Sequence, residues 1–146
     1  GGELYLTERI KDLFKTSSGK YIAPQMVESM LRVDKYIDQV AVVADKRKFV
    51  SALIVPDFRL LEEWAREWNV PFNDYDELCS NVKVLKMMME RIETLQQGLA
   101  SYEKVKRIAL IPKPFSMESG ELTNTLKLKR AVVYKNYGSI IEKLYE

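Results

Sequence analysis

Histidine is absent from this sequence, and cysteine occurs once, at position 79. The first absence excludes His-based catalytic triads, His general bases and ordinary His zinc sites. The second excludes an internal disulfide framework and any Cys-rich metal cluster, so no metal ligand set is expected. No apolar run approaches the roughly 20 residues that span a bilayer. The amino terminus, GGELYLTERIKDLF, lacks the basic head and apolar run of a signal peptide, and none is expected. Neither sign of charge dominates: Lys and Arg number 23, Asp and Glu 21, for a net charge of +2. That balance gives no reason to expect nucleic acid as a partner, although local basic patches remain open. Internal repeats and low-complexity tracts are also missing.

What is present is enough for one packed domain: 146 residues, 47% hydrophobic and 30% charged. Glu3 to Lys11 reads as a short strand and a charged turn. Residues 12–23, DLFKTSSGKYIA, read as a small hairpin turning at Ser17-Ser18-Gly19-Lys20. Pro24 suits the first turn of a helix to about Val33, with Met26, Val27, Met30 and Leu31 on one side. QVAVVA at 39–44 and FVSALIV at 49–55 are strand signals joined by Asp45-Lys46-Arg47-Lys48, a hairpin turn. Asp57 is placed to cap the next helix, whose Phe58, Leu61, Trp64, Ala65 and Trp68 recur at helical spacing. Both tryptophans read as core anchors. A short helix from Asn73 or Asp74 to Leu78 precedes a longer one from about Asn81. The stripe of that longer helix is Val82, Leu85, Met88, Met89, Ile92, Leu95 and Leu99. The run Met87-Met88-Met89 reads as gap-filling core. VKRIALI at 105–111 is a third strand, and Lys129–Tyr145 is one helix, or two parted near Gly138. The order predicts an α+β fold: a small, mainly antiparallel sheet of about three strands, plus the N-terminal hairpin, covered by helices.

Three stretches could carry chemistry. Gly19-Lys20 suggests a phosphate-binding turn, but a P-loop needs Gly where Phe14 stands and Ser or Thr where Tyr21 stands, so an ordinary turn is favoured. Leu122–Ile141 holds Lys127, Lys129, Arg130 and Lys135 with no acidic residue. Such a run is commonly a solvated helix start. Lys127, following Thr123, Asn124 and Thr125 on a loop expected to be mobile, could equally be delivered to a carboxylate or phosphate as a point charge. Period and composition do not choose between the two. The tetrapeptide Arg9–Asp12 has little specificity alone.

Together these stretches resemble a known family. LTERIKDLFKTSSGKYIAP at 6–24 resembles the hinge motif of the acyl-adenylate-forming enzymes, and GELTNTLKLKR at 120–130 resembles the motif holding their C-terminal catalytic lysine. The wording of both, and the long insertion at 69–103, is closest to the long-chain fatty acyl-CoA synthetases. The resemblance covers essentially the whole chain and only the C-terminal lid domain of the family. It implies residues 1–11 as an N-terminal strand and hinge to a large absent domain, and 12–146 as the lid.

The resemblance implies a function in two half-reactions. ATP and a fatty acid give acyl-adenylate, and coenzyme A then takes the acyl group; the fragment alone would be inactive. It implies Lys127 as the adenylation lysine, also touching ATP or AMP, and Lys11 as the hinge. Arg9 would be a nucleotide contact, although Glu8 stands where the family often has Gly. Ser18, Gly19 and Lys20 would border the coenzyme A arm. ATP and Mg2+ would be held mainly by the absent N-terminal domain, which is the expected partner. The implied setting is cytoplasmic, with peripheral attachment of the intact enzyme at the inner membrane face left open. Two alternatives are carried: another adenylate-forming lid, serving carrier-protein loading or an acyl-AMP ligase, and a stand-alone module for anionic ligands.

Overall fold

The computed structural model describes residues 13–146; the readings made for residues 1–11, including Arg9 and Lys11, lie outside them. The described chain opens on a two-stranded antiparallel hairpin, β1 (Phe14–Lys15) and β2 (Tyr21–Ile22). Helix α1 (Pro24–Leu31) follows, with Pro at its first turn as expected. Strands β3 (Ile37–Val43) and β4 (Val50–Pro56) pair antiparallel. Three helices come next, α2 (Phe58–Glu67), α3 (Tyr75–Ser80) and α4 (Val82–Leu95), and lead to β5 (Val105–Leu110). Helices α5 (Arg130–Asn136) and α6 (Gly138–Leu144) close the chain, parted at Tyr137.

The main sheet has the order β3-β4-β5. Among the described residues β1·β2 and β3·β4 are antiparallel, whereas β5 lies parallel to β4. The parallel pairing follows from the connection: residues 57–104 cross one face of the sheet before β5 begins, as a parallel return requires. Every residue of β4 is buried, because helices cover both faces. On one face Val40, Val42, Ala52 and Ile54 pack with Val27, Leu31, Leu61, Leu78, Met88 and Ile92. On the other, Ala41, Val43, Leu53 and Val55 pack with Ile111, Phe115, Val133 and Ile141. This explains why the strand signals are unbroken apolar runs rather than alternating ones.

Local capping follows the side chains. Asp57 accepts from Leu60 N at 3.2 Å, Asp74 from Glu77 N at 2.8 Å, and Asn81 from Lys83 N at 2.9 Å, each at a helix start. Asn69 takes a left-handed φ of 54° beyond the end of α2, and Val70 N donates to Ala65 O at 2.8 Å, a Schellman-type stop. Two glutamines act as clamps. Gln96 bridges the end of α4 to both backbone groups of Val105, at 2.9 and 2.8 Å, and Gln39 does the same for Phe115, at 3.2 and 2.7 Å.

Three expectations about the core are corrected. Trp68 is 63% exposed, because α2 stops at Glu67 and its indole lies past the last turn, against the rim of half-buried Trp64. Val82 is exposed at the first position of α4, and Val84 takes its place in the core. Met26 is exposed, while Glu28 is buried beside Val27 and Leu31. No helix among the described residues is long and apolar enough to cross a membrane.

Two buried acids make the fold sensitive to alkali. Burial pushes the Cys79 thiol from 9.0 to about 12. Burial also pushes Tyr134 from 10.0 to about 12, against the pull of Arg130, and its hydroxyl donates to Val42 O at 2.6 Å. Between the ordinary and the folded values the unfolded chain has released protons that the folded chain keeps. Stability therefore falls as pH rises through this window. For a gap of Tyr134's size the loss is at most about 2–3 kcal/mol. Tyr134→Phe should cost about 1 kcal/mol at pH 7 yet flatten the decline between pH 10 and 12, as read by urea denaturation at each pH. An unchanged slope would contradict the assignment.

Candidate functional site

Residues 116–130 run between the sheet and α5, and they are braced rather than loose. Gly120 has a φ of +79°, a conformation that favours glycine. Glu121 is buried: its carboxylate accepts from Ser119 Oγ at 2.6 Å and Asn136 Nδ2 at 3.1 Å, while its carbonyl accepts from Lys129 N at 2.8 Å. Leu122 and Leu128 form an antiparallel bridge. Inside it, Thr123 N donates to Lys127 O at 2.8 Å, and Thr123 Oγ1 accepts from Thr125 N at 3.3 Å and Lys127 N at 3.1 Å. The segment expected to be a mobile loop is a tight hairpin, because the Thr123 hydroxyl closes it from within. At its tip Leu126 has a φ of +63° and is 67% exposed.

Lys127 is exposed. Among the described residues its ammonium joins no ion pair. It lines a groove of about 420 Å3 with Gln25, Glu28, Ser29, Arg32 and Arg130. The groove is anchored by a bidentate ion pair: Arg130 Nη1 and Nη2 donate to Glu28 Oε2 and Oε1 at 2.6 and 2.7 Å. Glu28 Oε2 also accepts from Val42 N at 2.8 Å, and the Arg130 guanidinium lies 5.5 Å from the centre of the Phe14 ring. Burial alone would lower the Arg130 pKa, but Glu28 outweighs it and holds the guanidinium above its ordinary value.

The hairpin carrying Ser18, Gly19 and Lys20 lies elsewhere. Gly19 N donates to Thr16 O at 3.0 Å, and Gly19 has a φ of +86°. Among the described residues nothing lies within 4 Å of where a Cβ would stand, so the positive φ of the turn is what favours the glycine. The side chains of Ser18 and Lys20 are exposed; Ser18 Oγ is 3.1 Å from Thr16 Oγ1, and Lys20 Nζ sits 5.5 Å from the Tyr102 ring centre. The tip is pinned to the β3–β4 turn, with Ser17 N donating to Arg47 O at 2.9 Å and Lys46 N to Lys15 O at 2.8 Å. Leu126 and Leu128 instead share a groove with Asp38, Gln39 and Val40, at the start of β3. The tip of the first hairpin is thus tied to the β3–β4 turn, whereas Leu126 and Leu128 border the first half of β3. Ser18, Gly19 and Lys20 do not line the groove that holds Lys127.

A family model described as AMP-binding enzyme C-terminal domain matches residues 11–146. The chain belongs to this family. Among curated relatives, this AMP-binding C-terminal domain is 38% identical over 148 residues to Long-chain-fatty-acid--CoA ligase 5 of Rattus norvegicus, covering 99% of this chain and 22% of that protein. It is 35% identical over 147 residues to Long-chain-fatty-acid--CoA ligase 1 of Homo sapiens, covering 99% and 21%. The chain therefore spans about a fifth of the length of the relatives it matches. The adenylation domain of a carboxylate reductase from Mycobacterium chelonae shares the fold, with a TM-score of 0.76 and 24% identity over 94% of this chain and 20% of that one.

Sequence reasoning passed over Glu28, Arg32 and the shape of the 122–128 hairpin. The signal for Glu28 was an acid between Val27 and Leu31 on the apolar side of a short helix. Removing it strands the Arg130 charge and the Val42 N–H. Glu28→Ala should lower stability by about 3 kcal/mol and speed amide exchange at Val42, measured by denaturation and hydrogen exchange. A change below 1 kcal/mol would show that the pair does not anchor the groove.

Proposed function

We propose that this AMP-binding C-terminal domain is the lid of an AMP-forming long-chain fatty acid–CoA ligase, with residues 12–146 as the lid and 1–11 as the strand and hinge to a larger domain. The observation that carries the reading is the exposed Lys127 ammonium, without an ion-pair partner among the described residues, on a hairpin braced by the Thr123 hydroxyl. In the first half-reaction a fatty-acid carboxylate oxygen attacks the α-phosphorus of ATP and the bond to pyrophosphate breaks. In the second, the coenzyme A thiolate attacks the acyl carbonyl and AMP leaves. Lys127 enters the first step as a point charge between carboxylate and α-phosphate, offsetting their repulsion and the charge that builds on the phosphate.

Lys127 and the Gly19 turn sit on separate hairpins, one bordering Asp38–Val40 and the other tied to the β3–β4 turn, which supports a lid that turns between steps. One hairpin offers Lys127 for adenylation. The other offers the Gly19 turn, with Ser18 and Lys20, to the pantetheine arm. Lys11 is the hinge that absorbs the backbone rotation, and Arg9 beside it meets the ribose or a phosphate of the nucleotide. Among the described residues no group of three or more His, Cys, Asp or Glu side chains could hold a metal. The Mg2+ accompanying ATP is assigned, on the family resemblance, mainly to the larger domain, where it would neutralise phosphate charge.

In the full-length ligase, Lys127→Ala should reduce adenylation by about 10²–10³-fold, while thioester formation from supplied acyl-adenylate stays near normal. Equal losses in both steps would sink the assignment. Lys11→Pro fixes φ near −65° and should slow thioester formation more than adenylation in single-turnover assays. Unimpaired thioester formation would remove the hinge role.

A further inference from the structure

A second cation, Arg32, faces the Lys127 groove, and among the described residues no carboxylate pairs with it. Arg32 follows the last turn of α1, and its recorded side-chain contact is a long one, Nη2 donating to Ser29 Oγ at 3.5 Å. Among the described residues it forms no ion pair. Asp38 lines the adjoining groove with Arg32 without pairing to it. Among the described residues Glu28 is the groove's one carboxylate, and both of its oxygens are already taken by Arg130 and the Val42 N–H. What remains to meet a ligand is two cations, Arg32 and Lys127, and two neutral polar side chains, Gln25 and Ser29.

We infer that this groove is a polyphosphate subsite in which Arg32 grips the β- and γ-phosphates of ATP, the future pyrophosphate, while Lys127 serves the α-phosphate. The inference rests on the ligase reading for the identity of the anion. A guanidinium presents a planar fork that matches two phosphate oxygens at once, whereas an ammonium acts as a point charge. The division of labour between Arg32 and Lys127 follows from that difference. The groove's volume, about 420 Å3, lies within the range of small-molecule sites, about 300–1,000 Å3. Coenzyme A also carries phosphates. The choice falls on ATP because Arg32 lines the same groove as Lys127, which Ser18, Gly19 and Lys20 do not line.

Arg32→Ala in the full-length ligase should raise KM for ATP, and KM for pyrophosphate in ATP–pyrophosphate exchange, by about tenfold with kcat changed less than threefold. KM for coenzyme A should not move, and Arg32→Lys should recover part of the loss. KM values for ATP and pyrophosphate within twofold of normal would overturn the inference, as would a rise confined to coenzyme A. A second measurement separates it from the ligase reading. Inorganic pyrophosphate added to the 146-residue chain should shift NMR signals at Gln25, Ser29, Arg32 and Lys127, and Arg32→Ala should abolish the shifts. Those shifts, together with a full-length protein that lacks exchange activity, would keep the anion subsite and reject the ligase. Exchange activity with no shifts and an unaffected Arg32→Ala would do the reverse.

Discussion

The Glu28–Arg130 ion pair is the constraint on which the arrangement depends. A carboxylate that is 3% exposed would be costly to bury alone. Here it accepts two guanidinium bonds and one backbone bond. Those three bonds join α1, the C-terminal end of β3 at Val42 and the first residue of α5. Phe14 of the first hairpin lies against the same guanidinium, and Tyr134, one turn along α5, bonds the carbonyl of the same Val42. A single buried charge pair thereby fixes the direction in which the 122–128 hairpin leaves the body of the domain.

The sheet supplies the rigid frame. With β4 central and covered on both faces, each layer of helices packs on its own apolar core against the shared sheet. Helices α2 to α4 serve two purposes: they carry the chain back for a parallel β5, and they shield one face. The second face is closed at the chain's end, where the Tyr145 hydroxyl accepts from Ser51 Oγ at 2.9 Å and lies 2.7 Å from Phe49 O.

Much of this was legible in the residues. Asp57, Asp74 and Asn81 announce their helices by side-chain chemistry that acts within three residues, and β3 and β4 are apolar enough to be unmistakable. The parallel sense of β5 was not legible, because VKRIALI reads the same in either direction and the crossover decides. Trp68 and Val82 were misjudged for one reason: a periodic pattern does not say where a helix begins or stops, and both sit at an end. Lys127 and Gly19 stood out through the motif resemblance. Their placement on two separate hairpins, with the Gly19 turn outside the groove that Lys127 lines, is a tertiary fact with no local signature. Glu28 and Arg130 are 102 positions apart, so neither residue alone announces the pair.

Leu126 carries a backbone conformation that disfavours any side chain beyond glycine, by roughly 1–2 kcal/mol, and it is held there by the Thr123 hydroxyl network. The consequence is entropic. Ordering a free loop of this length on arrival at a partner would cost about 1–2 kcal/mol for each residue fixed. In this chain that ordering accompanies folding, so under the proposed lid role docking would immobilise little more than the rotamers of Lys127.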